Sequence, residues 1–114
     1  MNEEEPWTVA EMEAVLVSAS VRGKRLAAAR AVLEELHRLG AGRPTVEVRA
    51  ASVAIDPPQR EPCGITVDRA GVVRVWVWLP SATFGEPDQT WRMRGKDVAH
   101  VLHEFAVRAW LPLR

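Results

Sequence analysis

"ITVDRAGVVRVWVWL", residues 65–79, contains two apolar runs joined by a stretch with turn chemistry. The Asp68 side chain can bond its own backbone two residues on, and Gly71 can take a positive φ, so the chain is expected to reverse between them. A short strand, a turn over Asp68 to Gly71 and a longer strand make an antiparallel hairpin. On the longer strand, period-two geometry places Val73, Val75, Val77 and Leu79 on one face. Val72, Arg74, Trp76 and Trp78 take the other. Both faces are rich in apolar residues, as in a strand sheltered on both sides.

Upstream, "TVEVRAASVAI" (45–55) alternates through Val46, Val48 and Ala50, then changes phase to Val53 and Ile55. A single strand bulged near Ala51 and Ser52 accounts for the shift. "DPPQREPCG" (56–64) reads as a proline-stiffened loop that holds Cys63. Downstream, "PSATFGEPDQTWRMRG" (80–95) carries turn residues throughout and reads as a long connection. "KDVAHVLHEFAVRAW" (96–110) is helical, and Pro112 stops it.

The N-terminal third is also helical. Thr8 and Glu11 form a capping box, with Trp7 and Met12 at the spacing of a hydrophobic staple. Met12, Ala19, Leu26 and Leu33 then recur every seven residues. Val15, Ala29 and Leu36 fill a second seam that Arg22 interrupts. Gly40 or Gly42 can cap the end, and Pro44 forbids continuation. An unbroken helix over 9–39 would be about 46 Å long. A domain of this size has a radius of gyration of about 13 Å. Either the helix breaks around "SASVRGK", where Ser20 and Gly23 weaken it, or it projects and pairs with another chain. The break is the favoured reading, because glycine costs about 1 kcal/mol inside a helix.

The element order is therefore α(α)βββα. It predicts an α+β fold, an antiparallel three-stranded sheet with helices packed on it. Residues 1–6 read as a flexible acidic tail and 7–114 as one domain. The same order occurs in double-stranded-RNA-binding domains, but the lysine-rich helix start and inter-strand loop signature of that family are missing.

The chain has 114 residues, enough for one ordinary domain, and its 15 basic residues balance its 15 acidic ones. Net charge selects no partner class, so a nucleic-acid binder would have to cluster its cations. All the cations but Lys24 and Lys96 are arginine, a bias that a bacterial-like, GC-rich composition explains as well as arginine chemistry does. One cysteine excludes an internal disulfide and fits a reducing cytoplasm. The acidic start "MNEEEPW" is no secretory signal, and no window is apolar enough for a bilayer, so a cytoplasmic protein with no membrane partner is expected.

Candidate chemistry is sparse. His100, His103 and Glu104 in "HVLHE" sit near the pattern of zinc helices. Those helices, however, place two histidines four apart with the acid between them. Helical phase puts His100, Glu104 and Arg108 on a polar face, with His103 at its flank. No second cluster completes a ligand set, so no metal or other cofactor is expected. Cys63 would need a base, which a histidine of the last helix could supply. A small metal- or His-dependent enzyme is therefore the third reading. Arg-Gly-Lys occurs twice, at 22–24 and 94–96, each time before a helical run. Arg22, Lys24, Arg25, Arg92, Arg94 and Lys96 beside two helix starts make an anion or nucleic-acid surface the second reading.

The leading reading rests on Arg74, Trp76 and Trp78. The helices of so small a chain are expected to cover the Val/Leu face of the hairpin and leave the tryptophan face for a partner. Tryptophan and arginine are the residues most enriched at binding hot spots. The alternative is that the last helix, or the 81–95 segment, crosses that face and makes both indoles core. On balance the sequence reads as a non-enzymatic interaction module that binds a protein partner or forms a homodimer: an adaptor, inhibitor, immunity protein or chaperone.

Overall fold

The computed structural model describes residues 6–58, 63–77 and 89–93. The expected helix start is present in full. Thr8 Oγ1 accepts the Glu11 N–H at 3.1 Å, and Glu11 Oε1 accepts the Thr8 N–H at 3.1 Å. Helix α1 (Val9–Ser18) follows, with Trp7 and Met12 both buried at the staple positions.

The long helical pattern breaks where the sequence weakens it. Past the C-cap Ala19, Ser20 takes φ 67°, and the Ser20 and Val21 N–H groups bond the Val17 and Leu16 carbonyls. That is a Schellman motif with serine where glycine is usual. Helix α2 (Gly23–Arg38) ends in the same motif, with Gly40 at φ 82° and the Ala41 N–H bonding the Leu36 carbonyl. The two helices run antiparallel. The Trp7 indole N–H donates to the Ala41 carbonyl at 3.0 Å, Arg43 reaches Glu11 at 3.6 Å and Arg30 reaches Glu13 at 3.7 Å.

The break resets the helical phase, so the seven-residue repeat does not carry across it. Helix α1 buries Met12 and Leu16, while Val15 is 49% exposed and Ala19 is also exposed. Helix α2 buries Ala28, Ala29, Val32, Leu33 and Leu36, a single stripe at helical spacing.

The α+β class stands, but among the described residues the sheet has five strands where three were expected. They are β1 (Thr45–Val48), β2 (Ser52–Asp56), β3 (Cys63–Asp68), β4 (Val73–Val77) and β5 (Gln89–Met93), antiparallel in chain order. The first extra strand comes from the proposed bulge, which is a full reversal. Val48 pairs with Val53, and the Arg49 N–H bonds the Ser52 carbonyl at 2.8 Å around Ala50 and Ala51. The second, β5, lies in the stretch read as a connection and pairs with β4, Met93 opposite Val73. Cys63 opens β3 and is not a loop residue. The helix expected over 96–110 lies outside the described residues, as does the tail up to residue 5.

The deciding hairpin forms as read. Ile65 pairs with Val75, Asp68 Oδ1 accepts the Ala70 and Val72 N–H groups at 2.9 Å each, and Gly71 takes φ 84°. A side chain at Gly71 would also collide with α2, since a Cβ there would stand 3.1 Å from the Lys24 carbonyl oxygen. The hairpin turn therefore runs close beside the start of α2. Helix α2 packs on β2 and β3. Val53, Ile55, Ile65, Val67, Val73 and Val75 share one core with the helices, while Val46 and Val48 pack partly buried against it.

Candidate functional site

The register defines two surfaces that this core does not consume. The first is the sheet face turned away from Val73 and Val75. Along it Glu47, Ala54, Thr66, Arg74 and Arg92 stand at successive paired positions from β1 to β5. Ala54 is 4% exposed and Gly64 is buried, so the β2–β3 part of this face is sheltered. Thr66 is half-buried and Arg74 is exposed, so the face opens to solvent at Arg74. Trp76 stands opposite Gly64 on one side and Thr90 on the other. Backbone and register are described for Trp76 and Arg92, and Trp78 lies outside the described residues.

Arg74 pairs directly with Arg92. Like charges directly opposite one another destabilise a ladder. At the sheltered end of the face, burial raises the Asp56 carboxyl above its usual range, against the lowering pull of Arg49 and of a hydrogen bond from the Ile65 backbone.

The second surface is one end of the molecule. Strand direction brings the β1–β2 turn, the β3–β4 turn and the start of α2 together there. Arg25 Nη1 donates to the Arg49 carbonyl at 3.1 Å, and Arg69 Nε donates to the Ala50 carbonyl at 2.9 Å. Two guanidinium groups are thus anchored on consecutive carbonyls of one turn. Arg22 and Lys24 are exposed beside them at the helix start, where Arg22 is the N-cap residue without a capping side chain. The carboxylates nearest this end are both engaged. Glu47 accepts a hydrogen bond from Arg49 at 2.9 Å, which holds its carboxyl below the usual range, and Asp68 accepts the two backbone N–H groups of its turn.

Of the cations singled out from sequence, Arg22, Lys24 and Arg25 are therefore brought together. The structure adds Arg69, which sequence reasoning missed because it belongs to a turn on a separate hairpin, while the Arg49 guanidinium is taken up by Glu47. Arg92 lies on β5, whose last residue, Met93, pairs with Val73 just past Gly71. Arg94 and Lys96 lie outside the described residues, as do His100, His103 and Glu104.

A buried carboxylate, Glu35, lies on α2 and is held by Arg38 through Nε and Nη2, the Nε contact at 3.1 Å. The bond raises the Arg38 pKa still further. This pair sits at the opposite end of α2 from the cation cluster and completes the helix terminus. Among the described residues no group of three His, Cys, Asp or Glu is arranged to hold a metal ion. Among them too, no helix is long and apolar enough to cross a membrane. No protein-family model, no curated protein and no solved structure matches the chain.

Proposed function

We propose that the chain is a non-enzymatic interaction module that binds a protein partner or its own copy through the sheet face of Arg74, Trp76 and Trp78. The observation that carries this reading is the position of Arg74. It is exposed between two fully buried valines, on the face opposite the helical core, and paired with a second arginine. An arginine pair beside tryptophans forms a surface that an acidic, partly apolar partner would complete, since aromatic and guanidinium groups give the largest returns on desolvation.

Light-scattering mass across protein concentration tests the reading, together with acrylamide quenching of the indoles. The expected result is a mass that rises with concentration and falls back in Arg74→Glu and Trp76→Ala, both keeping the wild-type circular dichroism. A monomer at every concentration whose indoles are all closed to acrylamide overturns it.

A further inference from the structure

We infer that the turn end of the molecule is a nucleic-acid backbone-binding surface, independent of the sheet face, built from Arg22, Lys24, Arg25 and Arg69. Two separate elements, the start of α2 and the β3–β4 turn, deliver these side chains, and among the described residues none of the four is paired with a carboxylate. The two arginines best fixed in place are the clearest sign. Arg25 and Arg69 are tied to the neighbouring carbonyls of Arg49 and Ala50, so both guanidinium groups are fixed at the same turn. Each guanidinium has five N–H donors and uses one in this strap. Arg69 binds through Nε, which leaves both of its terminal nitrogens outside the strap. That pair is the fork that grips a phosphate through two parallel hydrogen bonds.

Charge accounting points the same way. The whole chain is neutral, with 15 cations and 15 anions, and Arg49 is matched by Glu47, so among the described residues the four other cations face only Asp68, which its own turn engages, and form a local surplus. Phosphate affinity depends on this local neutralisation and not on net charge. The start of α2 adds the partial positive charge of its first-turn N–H groups to the same end. Glycine at position 71 lets the hairpin turn approach the Lys24 backbone, which keeps Arg69 and Lys24 on one surface. No described aromatic or polar group is positioned here to read bases, so the surface grips backbone phosphates without sequence preference.

Fluorescence anisotropy with a labelled 20-nucleotide single strand and a 20-base-pair duplex tests the inference, using the full-length protein. Binding of either probe is expected at 50 mM salt and should weaken by about two orders of magnitude by 200 mM, the slope for about four phosphate contacts. Arg22→Glu with Lys24→Glu, at two exposed positions outside the carbonyl strap, should weaken binding about tenfold or more. Arg30→Gln, on the helix flank, should leave it unchanged. Arg69→Lys keeps the charge but loses the fork and should weaken binding less than the double reversal. Absence of binding to both probes at 50 mM overturns the inference, as does binding that ignores the double reversal or the salt. Equal binding of an acidic peptide and of neither oligonucleotide also overturns it. Trp76→Ala, which breaks the proposed protein interface, should bind both probes like wild type, so the two readings fail separately.

Discussion

Asp56 closes β2 with a carboxyl that burial has pushed above its ordinary range. A raised acid in the folded state means that the native protein holds more protons than the unfolded chain between the two pKa values. The contribution of Asp56 is therefore most favourable in acid, declines as pH rises from the unfolded value to the folded one, and stays low above it. Replacing it by asparagine keeps an oxygen for the Ile65 N–H and removes the titration. Asp56→Asn is expected to melt higher than wild type at pH 7. The difference should shrink as the pH falls below the aspartate range, where both side chains are neutral. Glu47 has the opposite sign, because Arg49 lowers its pKa and that stabilisation disappears in acid. Both proteins carry Glu47, so the comparison of melting curves between them isolates Asp56. A variant that melts lower at pH 7 would mean that attraction to Arg49 outweighs burial.

The elements differ in how plainly the sequence announces them, and local chemistry explains the difference. The capping box at Thr8 and the Asp68–Gly71 turn are legible because their side chains themselves make the bonds that define them. The break between α1 and α2 is legible as a weakness, although its pivot is Ser20, which carries a Cβ into the left-handed region. Such a conformation costs about 1–2 kcal/mol for a residue other than glycine. Glycine pays some of that back in unfolded-chain entropy. Ser20→Gly should thus stabilise the helical hairpin by about 0.5–1 kcal/mol, read as a higher urea midpoint at unchanged slope. A lower midpoint would place a contribution in the serine hydroxyl that its backbone conformation conceals. The β1–β2 turn is the contrary case. Ala50 and Ala51 carry none of the Asn-Gly chemistry that marks a two-residue hairpin, and Ser20 is the non-glycine residue of positive φ among those described. A reversal and a bulge both produce one phase shift in the valines, so the pattern alone could not separate them. Strand β5 escaped for a similar reason: "QTWRM" has a single aromatic and no alternation, and takes its pairing from β4. The cation cluster was half legible, since the Arg-Gly-Lys triplet names its helix while Arg69 joins it through strand order alone.

At the scale of the whole molecule, the chain is neutral in sum and uneven in space. Helical ion pairs join Arg30 to Glu13 and Glu34, Arg38 to Glu35 and Arg43 to Glu11, so charge is matched along the helical hairpin. At the turn end, Arg22, Lys24, Arg25 and Arg69 have no carboxylate partner among the described residues, and their mutual repulsion opposes compaction. Lys24 isolates this effect. Its backbone and Cβ lie beside Gly71, while its side chain is exposed and makes no described hydrogen bond. Lys24→Gln preserves that arrangement and removes only the charge. In low salt, without ligand, the variant is expected to be more stable by up to about 0.5 kcal/mol, the usual scale for a surface substitution. At about 1 M salt the screening length falls to about 3 Å and the two proteins should unfold together. Chemical denaturation in urea, which adds no ions, measures both limits. A variant less stable than wild type at low salt, with a gap that salt leaves intact, would mean that Lys24 serves packing and that the end is not electrostatically crowded.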